Sequence, residues 1–243
     1  RIRTLTISGD ITLGGFPYET VPDRDHDQFE TFNNLGFPVI VKAAAGGGGR
    51  GMKVIRSKAE AQELIISAQR EAQSAFGSSV VFLEKYLDRA KHIEFQVFGD
   101  FTGRCVHLFE RECSVQRRHQ KIIEESLSPS LAPELRDQMA KAAVDLAEKA
   151  GYFGAGTVEF LVQDGKFYFL EMNTRLQVEH PVTEMVLGVD LVKAQILTAA
   201  KTFVIWNQAD LVPRGHSIEC RVYAEDSYNR GLPSTGKIVG LHW

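Results

Sequence analysis

Glu159, Glu171 and Asn173 carry side chains suited to chemistry, provided the hairpin that holds them has the right register. Two carboxylates and an amide oxygen beside a phosphate chain are what a hard cation such as Mg²⁺ prefers. A tight two-residue turn at Asp164-Gly165 would send the two acids to opposite faces. Side-chain alternation argues instead for an odd loop, in which Val158, Phe160 and Val162 share an apolar face with Tyr168, Leu170 and Met172. Thr157, Glu159, Leu161, Phe169, Glu171 and Asn173 then gather on the other face. The expectation is a three-residue loop with a glycine bulge, Glu159 opposite Glu171, and both aimed at one site. Like charges directly opposite destabilise a strand pair that has no cation. A pair of exposed strand acids stays open as the plainer reading.

The glycine run is the second feature. Gly46-x-Gly48-x-x-Gly51 has the letters of the dinucleotide fingerprint, but that fingerprint needs a helix next, and a strand follows here. No Lys-Ser/Thr ends the run, so the triphosphate loop fails too. What remains is a strand–loop–strand flap whose bare amides could close over phosphates, with Lys42 at its base. A mobile hairpin tip is the alternative.

Two polar strings come third: Arg175-Leu176-Gln177-Val178-Glu179-His180, and Arg111, Gln116, Arg117, Arg118, His119 and Lys121. Composition does not say that they converge, and solvated loops remain open for both. Cys105, His107, Cys113 and His119 lack the paired C-x₂₋₄-C spacing of structural zinc.

Elements must position these groups. Phe37–Lys42 and Met52–Arg56 read as strands around the glycine loop. Ser57-x-x-Glu60 is a capping box opening a helix with Ala61, Leu64, Ile65, Ala68 and Ala72 on one stripe, ended by Gly77. Strands follow at Val80–Leu87, His92–Phe98 and Arg104–Arg111, then a polar segment, Glu112–Ser128. A helix runs from near Pro133 to before Gly151. After the Thr157–Val162/Phe167–Met172 hairpin come a helix over roughly Thr183–Ala200 and an alternating strand, His216–Glu225. Strands and helices mix without a strict βαβ repeat, so the fold class is α+β.

The chain has 243 residues, 44% hydrophobic and 24% charged, with a formal net charge of −3. Lys and Arg (28) nearly balance Asp and Glu (31), so no field of one sign would draw in nucleic acid or an anionic membrane. The apolar runs fall far below the roughly 18 residues that span a bilayer. Three cysteines suit a reducing compartment, cytoplasm or organelle matrix. The start lacks a signal-peptide pattern. Because it opens at Arg1 without Met, the chain is expected to be a piece of something longer.

Five stretches resemble the biotin carboxylase component of biotin-dependent carboxylases, an ATP-grasp fold. They are Lys42–Met52, Glu84–Leu87, His92–Gln96, Glu112–Lys121 and Glu171–Glu184, with Ile218–Asp226 fitting as well. The string Arg175–Glu184 is the most specific of them. The resemblance implies a lid subdomain over 36–87 and a mixed or antiparallel-sheet catalytic subdomain over 88–243, with residues 1–35 unassigned.

Residue by residue, it implies that Lys42 and the flap, with Gly48 and Gly49, hold the ATP phosphates. Glu84, Lys85, Tyr86 and Leu87 line the adenine pocket, and His92, Gln116 and His119 contact the nucleotide. Glu159 and Glu171, with Asn173, bind Mg²⁺ or Mn²⁺. Lys121, Arg175, Gln177 and the Val178 backbone position bicarbonate, Glu179 is the general base, and Arg221 stabilises the biotin enolate. The implied reaction is ATP-dependent carboxylation of carrier-borne biotin through carboxyphosphate, with a carrier domain and a carboxyltransferase as partners and a homodimer as the intact assembly. A catalytically incomplete ATP/ADP-binding fragment or assembly module is the alternative. Departures are visible. Residues 1–35 do not match the family's N-terminal α/β domain, no lysine precedes Lys42, Ser227 replaces a usual proline, and a glycine is lacking between Ala200 and Lys201.

Overall fold

Two sheets organise the molecule, and each grows from a different sequence pattern. The computed structural model describes residues 6–7, 11–12, 18–20, 35–45, 52–117, 119–202, 206–240 and 242. The elements are β1 (Thr6–Ile7), β2 (Ile11–Thr12), β3 (Tyr18–Thr20), β4 (Val39–Ala43), β5 (Lys53–Ile55), α1 (Lys58–Phe76), β6 (Val81–Lys85), β7 (Lys91–Gly99), β8 (Cys105–Arg117) and β9 (Gln120–Ser126). Then come α2 (Pro133–Lys149), β10 (Gly154–Gln163), β11 (Lys166–Asn173), α3 (His180–Leu187), α4 (Leu191–Ala199), β12 (Ser217–Cys220), β13 (Glu225–Asp226) and β14 (Leu232–Pro233). Among the described residues every strand pairing is antiparallel.

The smaller sheet has the order β3-β6-β4-β5. Its core is Val39, Val41, Ile55, Val81 and Leu83 against the α1 stripe Ala61, Ile65, Ala68 and Ala72. Glu60 reaches back to the Ser57 amide (2.9 Å), and Gly77 closes the helix in the left-handed region, φ 72°. The edge strand β3 comes from residues 1–35, so part of that unassigned segment belongs to this sheet. Gly46–Gly51, with the expected phosphate contacts Gly48 and Gly49, lie outside the described residues.

The larger sheet has the order β11-β10-β7-β8-β9-β12. Ile93, Phe95, Val97, Val158 and Phe160 face α2, whose Met139, Ala143, Leu146 and Ala147 complete the main core. Phe98, Val106, Leu108 and Ala155 face the other way, packing with Leu191 and Ala194 of α4. Period-2 alternation thus buries both faces of β7, and its polar positions share the α3–α4 side.

Several expectations need correction. The polar segment Glu112–Ser128 is largely a β-hairpin, because β8 runs to Arg117 and returns as β9. Its buried and half-buried polar side chains find partners, Glu112 on Ser128, and Lys121 and Glu124 on residues outside the segment. The single helix over Thr183–Ala200 is two, broken where Gly188 adopts φ 67°. The strand expected over His216–Glu225 is only Ser217–Cys220. The lacking glycine has a stand-in: Lys201 follows α4 with φ 56°, a helix-ending conformation that glycine adopts at less cost.

The hairpin β10–β11 reaches the expected register by another route. Its turn is the tight pair Asp164-Gly165 (φ 53° and 71°), not a three-residue loop. A bulge between Glu159 and Phe160 absorbs the extra residue, so Glu159 stands opposite Glu171, and Phe160 opposite Phe169. Phe167 and Phe169, rather than Tyr168 and Leu170, therefore join Phe160 against the main core.

Candidate active site

One row of side chains crosses the larger sheet. Glu171 on β11 pairs with Glu159 on β10, Glu159 with Glu94 on β7, and Glu94 with Arg111 on β8. Three adjacent carboxylates repel, so cations must sit among them. Arg111 is one of these cations. It is fully buried, and it donates to Glu94 (2.7 Å), Gln96 (2.7 Å), Thr183 (3.0 Å), Thr157 (3.2 Å) and Gln177 (3.2 Å). A buried guanidinium is tolerable only when its donors are met in this way.

Lys121 is the second. Its ammonium meets Glu94, Glu159 Oε1 (3.0 Å) and Glu179 Oε1 (2.6 Å). Burial would lower its pKa, but Glu94 and the other carboxylates around it raise it, so it stays charged. Arg221, just past β12, is the third, donating to Glu124 (2.6 Å) and to Glu179 Oε2 (2.9 Å). Both oxygens of Glu179 are thus held by cations. Glu159 is almost fully buried, and desolvation would raise its pKa. The His92 ring, whose Nε2 lies 3.1 Å from Glu159 Oε2, and the charge of Lys121 overcome this and hold it at about 2.

The cluster also fits a metal ion. Asn173 Nδ2 donates to Glu159 (2.9 Å) and Glu171 (3.3 Å), which brings both acids to one spot. Glu94, Glu124, Glu159, Glu171 and Glu179 outnumber Arg111, Lys121 and Arg221. His92, Glu94 and Glu159 also have ligand atoms within 4.8 Å of one another. An oxygen-rich set with a charge deficit suits Mg²⁺ or Mn²⁺.

Residues 15–203 match the family model described as the carbamoyl-phosphate synthase L chain, ATP binding domain. The chain belongs to this family. The chain is 54% identical over 208 residues to a pyruvate carboxylase subunit of Methanothermobacter thermautotrophicus, covering 86% of this chain and 42% of that protein. It is 49% identical over 239 residues to the biotin carboxylase of a Nostoc species, covering 98% of this chain and 53% of that one. A solved biotin carboxylase domain dimer of Hydrogenobacter thermophilus 2-oxoglutarate carboxylase, in complex with MgADP, ADP and bicarbonate, superposes with a TM-score of 0.83 at 45% identity. That superposition covers 90% of this chain and 49% of that one. Campylobacter jejuni biotin carboxylase, solved as a β,γ-ATP complex, gives 0.80 at 48% identity, covering 87% and 47%. The architecture is that of the ATP-grasp biotin carboxylases, and the chain spans about half the length of these relatives or less.

The expected residues fall into two groups. Lys42 is ion-paired with Glu84 on the smaller sheet. Lys85 donates to the carbonyls of Gly36 and Phe37 (3.0 and 2.9 Å), and the Tyr86 amide donates to Pro38. Leu87 follows, half-buried. The larger sheet brings together His92, Lys121, Glu159, Glu171, Asn173, Gln177, Glu179 and Arg221. Arg175 is exposed at its margin, 3.4 Å from Asn173 Oδ1, and the Val178 side chain is exposed. Gln116 donates to the Cys113 carbonyl, and His119 is exposed in the β8–β9 turn, with φ 64°. Sequence reasoning gave no role to Arg111 or Glu94. The available signal was alternation: His92, Glu94 and Gln96 are polar at every second position of an otherwise apolar strand.

Proposed function

We propose that this chain is the nucleotide- and bicarbonate-handling part of a biotin carboxylase, which carboxylates biotin with ATP and bicarbonate. One observation carries the reading. Lys121 bonds Glu159 and Glu179 at once, joining the candidate metal ligands to the candidate base.

Bicarbonate is a poor nucleophile and must be held, deprotonated and aimed at the γ-phosphate. Lys121 and Arg175 hold it, with Gln177 and the Val178 amide fixing its plane. Arg175 suits a planar anion because its guanidinium can bond two oxygens in parallel. Glu179 takes the proton from the bicarbonate hydroxyl once one of its oxygens exchanges a cation for substrate. Attack on the phosphorus forms carboxyphosphate and releases ADP. The carboxyphosphate C–O bond then breaks to give CO₂ and phosphate; the phosphate takes the biotin ureido N–H proton, and the enolate-like anion, which Arg221 stabilises, forms the N–C bond to CO₂. Glu84, Lys85, Tyr86 and Leu87 bind the adenine, His92, Gln116 and His119 contact the nucleotide, and Lys42 with the Gly48-Gly49 flap takes the phosphates. Mg²⁺ or Mn²⁺ on Glu159, Glu171 and Asn173 supplies charge neutralisation on the transferring phosphoryl group.

In this reading the lid spans 36–87 and the catalytic part 88–243, and the intact protein is a homodimer working with a biotin carrier domain and a carboxyltransferase. Three unpaired cysteines support a reducing compartment, cytoplasm or organelle matrix. The test is ATP hydrolysis by the full-length protein containing this chain. Hydrolysis should require bicarbonate and rise with free biotin. Calorimetric binding of ADP and Mg²⁺ with no bicarbonate-dependent turnover would favour the incomplete fragment or assembly module instead.

A further inference from the structure

Arg111 has no substrate contact of its own in this reading, yet it bonds Glu94 and Gln177, which orient the groups that do. Glu94 takes Arg111 Nε on Oε1 and the Lys121 ammonium on Oε2. Gln177 accepts from Arg111 on Oε1 (3.2 Å) and donates through Nε2 to Glu159 Oε1 (3.0 Å). The chemistry of these links has a direction. A guanidinium is only a donor, so the amide it faces must present oxygen, and the amide NH₂ must then point at Glu159. A side chain with fewer donors at 111 would leave Glu94 Oε1 or Gln177 Oε1 without its buried partner, so that the two side chains shift to find another. Burial removes water as a substitute partner.

We propose that Arg111 is a positioning residue. It sets the orientation of the Gln177 amide and the Glu94 carboxylate, and through them the placement of Glu159 and Lys121. This rests on the function proposed above, in which those two residues serve the metal ion and bicarbonate. Among the described residues, no hydrogen bond or ion pair joins Arg111 to Glu84, Lys85, Tyr86 or Leu87, which serve the adenine. Its loss should therefore separate the ligands: metal and bicarbonate weaken, while metal-free nucleotide does not.

The experiment compares wild type with Arg111→Lys in the full-length protein, by Mn²⁺ paramagnetic resonance titration, calorimetry with ADP in EDTA, and the bicarbonate KM. About a tenfold loss of Mn²⁺ affinity is expected, the lower end of what ligand-orienting residues give. A comparable rise in bicarbonate KM should accompany it, with ADP affinity changed less than about twofold. Unchanged Mn²⁺ affinity and bicarbonate KM in a folded variant overturn the proposal, as does an equal loss for all three ligands. If Arg111→Lys does not fold, Thr183→Val removes one Arg111 hydrogen bond and leaves the charge. Mn²⁺ affinity should then fall two- to threefold, and no change overturns the proposal. The Mn²⁺ titration needs no turnover. Wild type that binds Mn²⁺ but lacks bicarbonate-dependent hydrolysis therefore counts against the proposed function, not against Arg111.

Discussion

Glu159 and Glu171 face each other directly across β10 and β11, and the Asn173 amide donates to both. Repulsion between them opposes folding without a cation and is offset when one binds. Replacing Glu171, the exposed member, with Gln should raise metal-free stability by about 0.2–1 kcal/mol. The same variant should bind Mn²⁺ more weakly. Denaturant unfolding in EDTA and a Mn²⁺ titration check the opposite signs, and a loss of stability in EDTA would contradict the account.

Glu159 links stability to acid. Its folded pKa of about 2 lies below the ordinary carboxylate value, so its contribution is complete above about pH 4.5 and disappears as the pH falls toward 2. The shift corresponds to about 3 kcal/mol. Chemical denaturation between pH 5 and 2 should show a shallower decline for Glu159→Gln than for wild type. Parallel curves would mean that the His92 and Lys121 contacts do not hold the carboxylate.

Glu179 is held by Lys121 and Arg221 and is the base in the proposed reaction. Glu179→Gln keeps the size and loses the proton acceptor. Bicarbonate-dependent ATP hydrolysis should fall by about 10²–10⁴-fold. ADP binding, which this reading does not assign to Glu179, should persist. Full activity in this variant would remove Glu179 from that role.

Lys201 occupies the left-handed position after α4. Lys201→Gly should stabilise the protein by about 0.5–1 kcal/mol, because the backbone strain outweighs the extra freedom of the unfolded chain. A lowered melting temperature would show that the Lys201 side chain contributes more than its conformation costs.

Gly99 is close-packed: a Cβ there would lie 2.2 Å from the Tyr152 carbonyl oxygen. Gly99→Ala should destabilise by about 1–3 kcal/mol through overpacking, read as a lower denaturation midpoint. A neutral effect would mean that the Tyr152 turn shifts freely.

Much of the site was legible because its parts are local. Alternation alone placed Glu159 opposite Glu171, and the capping box and the Gly77 stop marked α1. The bulge at Glu159–Phe160 was not legible, since Asp164-Gly165 satisfies a tight turn and the sequence does not say where the extra residue goes. Glu112–Ser128 looked solvated because its polarity suits water equally well. Only the pairing of β9 with β8 and of β8 with β7 brings Lys121 to Glu94. Arg111 was hidden for the same reason: its partners lie on β7, β10 and α3 and in the segment before α3, none adjacent in sequence.

Arg221 leaves the end of β12, a four-residue strand at the margin of the sheet that, among the described residues, pairs with β9 alone. Glu94 and Glu159, by contrast, sit on interior strands bonded on both sides. Deuterium should therefore enter the amides around Arg221 well before those of β7 and β10. The end that would greet the carboxyl acceptor is hinged like a page edge, while the phosphoryl end is bound into the spine.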